Sequence, residues 1–443
     1  MTVFGPLTAE VSFAQQQRVA GQLRSMGLGR GDRVAFLVSG STDLLSAVLG
    51  ALRIGIIPVM LDPALTPHER TVVLEDAAPM LIVDSTEQLS SLFLGPAVAL
   101  SSAPLGRPMH YTSGTSGKRK GVWSGVLSED DALALVAEER EQWGFELTDL
   151  HLASSPLHHS APLRFACSTL LAGGSVAVLP KFDAADWAAA VSTLTPTTLF
   201  LAPAHLQRVV EALGTGLELP DLSSVRLLAY AGAPCPRPLQ EWTHSVFPPG
   251  AVWEFYGSTE GQFTACSPQD WRTHPGSVGR ARARRDLAVD SDGTIWCRVP
   301  TYARFEYWRD TAKTSEAWRD DWFTVGDLGR MDDDGYLYLD GRRDDLILSG
   351  GVNVYPREVE IVLEQLPGVD DVAVVARPDE HWGERVAAVV VGAATEDQLR
   401  AWAASELSPP RRPKDYIFVP SIPRNATGKV RRRFLLSDLG IEP

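Results

Sequence analysis

The stretch Tyr111-Thr-Ser-Gly-Thr-Ser-Gly-Lys-Arg-Lys-Gly121 decides how this chain is read. Gly114 and Gly117 let the backbone turn so that amide groups converge on an anion. Thr112, Ser113, Thr115 and Ser116 add hydroxyl donors, and Lys118, Arg119 and Lys120 add positive charge. A polyphosphate suits that mixture; for the string in isolation, a basic solvated Gly/Ser loop is the competing reading. A Walker-type loop is excluded. Arg119 follows Gly117-Lys118 where Ser or Thr is needed, and Thr112 stands five positions before Gly117 where Gly is needed.

With 443 residues the chain exceeds one ordinary core, so two or more domains are expected. Its formal charge of −14 argues against non-specific nucleic-acid binding and against an anionic membrane surface, though not against a small anion held by a local field. The four cysteines (Cys167, Cys235, Cys266, Cys297) form no C-x-x-C pair, which points away from a disulfide framework and towards a reducing cytoplasm. The nine histidines include no H-E-x-x-H. The N-terminus shows no signal-peptide pattern, and no apolar run approaches membrane-spanning length, so a soluble protein is expected.

Outward from the loop, helix and strand signals alternate. Helical spacing over 13–26 precedes an apolar strand at 33–38. A helix capped near Ser41 or Thr42 runs to Leu52, and strands at 56–61 and 80–83 flank a helix over 67–77. The rhythm returns downstream: Ser128 caps a helix, strands fall at 198–201, 226–230 and 252–256, and helices near 204–213 and 237–246 lie between them. This alternation implies a largely parallel sheet covered on both faces, with ligands outside the carboxyl ends of the strands. Two such ends run into Ala231-Gly232-Ala233-Pro234 and Tyr256-Gly257-Ser258-Thr259-Glu260-Gly261. From about 281 the sequence is turn-rich and antiparallel in character. After Arg342 a small α+β unit follows, with helices at 356–366 and 395–405 and strands at 372–376 and 386–391.

Glu260 beside the hydroxyls of Ser258 and Thr259 suits Mg²⁺ held between one carboxylate and substrate phosphates; a helix-capping turn is the alternative. Asp327, in TVGDLG, could accept both hydroxyls of a ribose or could be a plain turn aspartate. His158-His159, in SPLHHSAP, precedes a short loop and reads equally as a hydrogen-bonded structural pair.

Together these segments, in this order, resemble the adenylate-forming superfamily of acyl- and aryl-CoA synthetases, peptide adenylation domains and luciferases. The resemblance spans the chain. It identifies 112–121 as the phosphate loop with Lys120 as its lysine, Ser116 where threonine is usual and Arg119 where proline is usual. It makes AGAP the adenine stretch, YGSTEG the magnesium stretch and Asp327 the ribose aspartate. It also marks Arg342 as a ribose or phosphate contact, Asp344 as the hinge, Gly350 and Gly351 as the wall of a CoA channel, and Lys429, in PRNATGKV, as the mobile catalytic lysine. His159 aligns with a histidine bordering the acyl pocket and thiol channel. Trp382-Gly383-Glu384 looks most like CoA ligases.

The implied fold is α/β. A large domain over 1–341 has parallel-rich sheets covered by helices and a small β-barrel-like subdomain; a small α+β domain over 342–443 sits on the hinge. The implied activity is an AMP-forming acid–CoA ligase using ATP and Mg²⁺ with CoA as co-substrate. Its partners would be small molecules rather than nucleic acid or membrane, and a homodimer is compatible with it. The phosphate loop stands close to the N-terminus, so the first subdomain is expected to be shorter than in most relatives. Activation of an acid for another acceptor (an amine, a carrier-protein thiol, nitrite chemistry) and a non-catalytic nucleotide-binding relative are the rival readings.

Overall fold

The computed structural model describes residues 4–113, 119–342, 345–349, 352–379, 383–424 and 430–441. It divides into two compact units, 1–287 with 297–323, and 288–296 with 324–443.

The larger unit holds two six-stranded sheets. One is built from β2 (Arg33–Phe36), β3 (Ile57–Met60), β4 (Leu81–Val83), β5 (Met109–Ser113) and β6 (Arg119–Trp123), with the short strand Glu306–Tyr307 at its edge. The other orders β1 (Phe4–Thr8), β8 (Ser175–Val178), β7 (Leu150–Ala153), β9 (Thr198–Leu201), β10 (Leu227–Tyr230) and β11 (Val252–Glu254). Except for β1, every pairing in the second sheet is parallel. Parallel sheets need both faces covered, and the alternating helices supply the cover.

Those helices are α1 (Ala9–Ser25), α2 (Thr42–Leu52), α3 (Pro67–Ala77), α4 (Thr86–Ser91), α5 (Glu129–Trp143), α6 (Ser160–Leu171), α7 (Ala184–Leu194), α8 (Pro203–Gly214) and α9 (Arg237–Val246). Their starts are chemically marked. Ser41 accepts from the Leu44 amide, and Ser128 accepts from the Asp131 amide. Thr66 and Glu69 form a reciprocal capping box ahead of Pro67. Helix α2 is apolar around its circumference and buried from Leu44 to Leu52, as a helix packed on both sides must be. An aromatic cluster of Trp143, Phe145, Phe165, Phe200 and Phe255 fills the space between α5, α6 and the β9–β10 face.

The chain departs from the sequence reading in places. The first helix begins at Ala9 because Thr8 caps it, not at 13. The strand ending in Tyr256 stops at Glu254. The histidine pair precedes a twelve-residue helix, α6, rather than a short loop: Ser160 to Leu171 is apolar at helical spacing apart from Arg164.

The smaller unit is a mixed sheet. Strand 383–392 pairs antiparallel with 369–379 and parallel with Asp415–Phe418, and Ile347–Ser349 pairs antiparallel with Val352–Val354. Helices Pro356–Leu363 and Glu396–Glu406 pack one face through Val359, Leu363 and Leu399, while Leu435 and Leu436 cover the other. The buried Glu360 carboxylate anchors the unit: it takes two bonds from Arg432, at 2.6 and 2.8 Å, and one from the Val374 amide at 2.9 Å.

Candidate active site

Strands β5 and β6 pair antiparallel, with Thr112 opposite Lys120 and Ser113 opposite Arg119. The glycine-rich segment therefore joins two paired strands. Gly114, Thr115, Ser116, Gly117 and Lys118 lie outside the described residues. Lys120, half-buried on β6, directs its ammonium at the Tyr307 ring, 5.3 Å from the centroid. Arg119 spends its charge elsewhere. It bonds Glu69 at 2.7 Å, and that bond, with the Thr66 cap, pulls the Glu69 carboxyl down to about 2.

Because β10 and β11 are parallel neighbours, AGAP and YGSTEG leave adjacent carboxyl ends. Gly232 has φ +98°, a region that suits glycine. Gly257 and Gln262 form an antiparallel bridge, the Ser258 amide donates to the Gly261 carbonyl at 2.8 Å, and the Glu260 amide donates to Ser258 Oγ at 3.2 Å. YGSTEG is thus a tight loop closed across its base by the Gly257–Gln262 bridge, not a helix cap. A Cβ on Gly257 would stand 2.8 Å from the Gly261 carbonyl oxygen, so no larger residue fits unaltered. The Tyr256 ring lies tilted against Phe263, with centroids 4.8 Å apart.

Glu260 is 7% exposed, and Tyr307 donates its hydroxyl to Glu260 Oε1 at 3.0 Å. Tyr307 therefore links Lys120 and Glu260, two residues expected on one ATP–magnesium unit. Among the described residues no cluster of three or more His, Cys, Asp or Glu side chains could hold a metal alone. A lone, fixed carboxylate suits Mg²⁺ that arrives with phosphate oxygens.

His159 stands before α6, its Nε2 buried without a hydrogen bond and its ring centroid 4.3 Å from that of His158. Burial, reinforced by His158, His110 and His205, lowers its pKa to about 3, so it is a neutral imidazole at physiological pH. That suits positioning rather than proton transfer.

In the smaller unit Asp327, 7% exposed, opens strand Asp327–Met331 and lies directly across from Arg342 on strand Leu337–Arg342. Two residues expected near the ribose thus share one ribbon end. Ser349, which precedes Gly350, pairs with Gly383, and Glu384 accepts from the Leu348 amide at 2.7 Å. Asp344, Gly350, Gly351, Trp382 and Lys429 lie outside the described residues.

Sequence reading missed three residues of the larger unit. Tyr307 lay in a featureless FEYW run. Arg107 donates to the carbonyls of Glu260, Ala303 and Arg304 at 3.3, 3.3 and 2.9 Å, holding the YGSTEG loop from behind. Arg164 is the one charged residue of α6, a signal that was available. Arg107, Arg164, Ser258, Thr259 and Gln262 share the wall of a cavity of about 130 Å³.

Comparison with known proteins agrees with this geometry. Residues 8–99 and 108–300 match the AMP-binding enzyme family, and 358–429 match the AMP-binding enzyme C-terminal domain. A 2-succinylbenzoate–CoA ligase from Bacillus mycoides is 31% identical over 94% of this chain and 90% of its own length. A fatty acid–[acyl-carrier-protein] ligase from Streptomyces coeruleorubidus is 31% identical over 97% and 91%. The o-succinylbenzoate CoA synthetase of Bacillus subtilis, solved with its acyl-adenylate intermediate, superposes with TM-score 0.81 at 26% identity over 96% of this chain and 92% of that one. The same synthetase is also known with ATP and a magnesium ion. The chain belongs to the AMP-binding enzyme family.

Proposed function

We propose that this protein is an ATP-dependent acid–CoA ligase. A carboxylate oxygen attacks the α-phosphorus of ATP, the bond to pyrophosphate breaks, and an acyl adenylate results. The CoA thiol then attacks the adenylate carbonyl, losing its proton, and AMP leaves with the bonding pair. The observation that carries the reading is the Lys120–Tyr307–Glu260 link, which supports an ATP–magnesium site on the edge of one sheet.

Within the proposal, Thr112, Ser113, Gly114, Thr115, Ser116, Gly117 and Lys120 hold the β- and γ-phosphates. Gly232, Ala233, Pro234 and Tyr256 receive adenine, and Gly257, Ser258 and Thr259 border the phosphates. Asp327 and Arg342 take the ribose. Glu260 would hold Mg²⁺, which neutralises phosphate charge when bound. Alignment and charge neutralisation are the protein's contribution, since the reacting groups are themselves sufficient. Lys429 bridges the acid carboxylate and the α-phosphate, and His159 positions the acid as a neutral wall. After pyrophosphate leaves, the domain over 342–443 turns at Asp344, so that Gly350 and Gly351 line a channel too narrow for a side chain. The proposal further places the protein in the cytoplasm without nucleic-acid or membrane partners, leaving a homodimer to be settled by light scattering. Among the described residues no helix is long and apolar enough to cross a membrane.

Pyrophosphate exchange with a panel of acids tests adenylation, and mass analysis after adding CoA tests the acceptor. The name of the Streptomyces coeruleorubidus relative supports a second reading, transfer to a carrier-protein thiol; a thioester on CoA decides against it. Lys429→Ala is expected to block adenylate formation while sparing thioester formation from supplied adenylate. Equal loss of both halves would contradict the role given to Lys429.

A further inference from the structure

The cavity behind the YGSTEG loop has an uneven wall. Leu49, Leu52, Val122, Leu135 and Leu163 make most of it apolar, while Arg107 and Arg164 enter it from β5's approach and from α6. Its volume of about 130 Å³ is close to the ~150 Å³ of an engineered cavity that accepts benzene. Cys167 also lines it, and burial pushes that thiol up to about 12, so it acts as apolar wall rather than nucleophile.

The charges around the cavity do not cancel. Arg107, Arg164, Arg282 and Arg285 face Glu138 and Glu139 of α5, four guanidinium groups against two carboxylates. Arg285 and Tyr302 satisfy Glu138, and Arg282 and Gln262 bond Glu139 Oε1, while Oε2 has only the ion pair with Arg164. Burial alone would raise Glu139, but the positive surroundings, Arg282 and Arg164 foremost, hold it near 2. Counting Glu260 as well, whose carboxylate turns to Tyr307, still leaves one positive charge in excess.

Arg164 carries that excess most openly. Its Nε lies 3.3 Å from Glu139 Oε2 without a hydrogen bond, and Nη2 also makes none. The guanidinium rests 5.5 Å from the Phe255 ring centroid. Burial lowers both Arg107 and Arg164 to about 10, and at Arg164 the nearby Glu139 offsets only part of that. A buried guanidinium with unmade hydrogen bonds is costly even beside one carboxylate, and an incoming carboxylate on Nη2 would supply charge-assisted bonds.

We propose that the activated acid carries a second carboxylate, separated from the reacting one by a short apolar spacer, and that Arg164 receives it in this cavity. The inference rests on the acid-activating reading and sharpens it to a substrate class. The reacting carboxylate stays beside Ser258 and Thr259, which line the same cavity; the spacer lies along the leucines; the far carboxylate reaches Arg164, with Arg107 adding field. The apolar volume limits the spacer to about the bulk of a benzene ring.

Pyrophosphate exchange with matched acids provides the test: butyrate against glutarate, pentanoate against adipate, benzoate against phthalate. The diacid of at least one pair should exceed its monoacid partner in kcat/KM by roughly tenfold to a hundredfold. Arg164→Met should collapse that ratio towards one, and Arg164→Lys should restore part of it. A merely structural Arg164 would lower both members of a pair together and leave the ratio intact, which overturns the proposal. Should Arg164→Met fail to fold, the wild-type ratios decide alone: monoacids equal to or better than diacids overturn the substrate class while leaving the ligase reading standing. Exchange with no acid of either kind overturns both.

Discussion

Replacing Tyr307 by Phe removes one oxygen and little else. The ring keeps its contact with Phe305, at 5.4 Å between centroids, and its face to Lys120. What disappears is the 3.0 Å bond to Glu260 Oε1, a neutral donor on a buried carboxylate. Bonds of that type contribute about 1.5–3 kcal/mol. Glu260 can recover part of this by turning towards solvent, but then it no longer presents its free edge to the metal–phosphate complex. Either way the loss falls on adenylation, and at about 1.4 kcal/mol per factor of ten it amounts to roughly tenfold to a hundredfold in kcat. The assay is pyrophosphate exchange at saturating acid, titrated with Mg²⁺. We expect a lower plateau and a higher magnesium concentration at half-maximum, with thioester formation from supplied adenylate nearly unaffected. Exchange within twofold of wild type at all magnesium concentrations would refute the view that Tyr307 fixes Glu260.

Arg119→Ala should leave the KM for ATP within about twofold, since Arg119 is engaged with Glu69; a tenfold rise would restore it as a phosphate contact. The same variant tests a pH effect. Glu69 is depressed in the folded state, so its contribution is present above its ordinary pKa of 4.5 and disappears as pH falls towards about 2. The two side chains are 32% and 39% exposed, enough solvent to limit the effect to about 1 kcal/mol or less. Wild type and variant should therefore differ slightly in denaturant midpoint at pH 6 and converge below pH 3. Glu360→Ala leaves Arg432 with only the longer ion pair to Asp345 at 3.6 Å and frees the Val374 amide, which should cost about 3 kcal/mol and unfold the smaller unit first. Limited proteolysis that leaves the region after residue 324 as resistant as in wild type would count against this.

Much of the fold was legible because its signals are local. Helix α3 announces itself by Thr66, Pro67 and Glu69, and α2 by Ser41 and an apolar run. Helix α6 escaped because a histidine pair looked like the start of a loop, although the apolar residues after it repeat at helical spacing. For the candidate site, residue type at a strand end pointed to Glu260 and a place between glycines to Asp327, while only the family resemblance set Lys120 apart from Lys118 and Arg119. Their supports were not legible. Tyr307 reaches Glu260 only because strand Glu306–Tyr307 pairs with β6, and Arg107 grips carbonyls nearly two hundred residues away in sequence. Long-range pairing of that kind leaves no periodicity to read. The choice between helix cap and bridged loop at YGSTEG likewise depended on the Gly257–Gln262 pairing.

The antiparallel pairing of β5 and β6 has a consequence for how such a site can evolve. A phosphate loop that runs directly into a helix borrows the helix's positive end, and any change in loop length drags a packed helix with it. Here both ends of segment 114–118 are clamped by the same strand ladder. In the proposed nucleotide site, the ladder that carries Lys120 keeps its register when the connecting segment is lengthened, shortened or recharged. Nucleotide affinity, as proposed for this loop, would then be open to retuning without repacking the core.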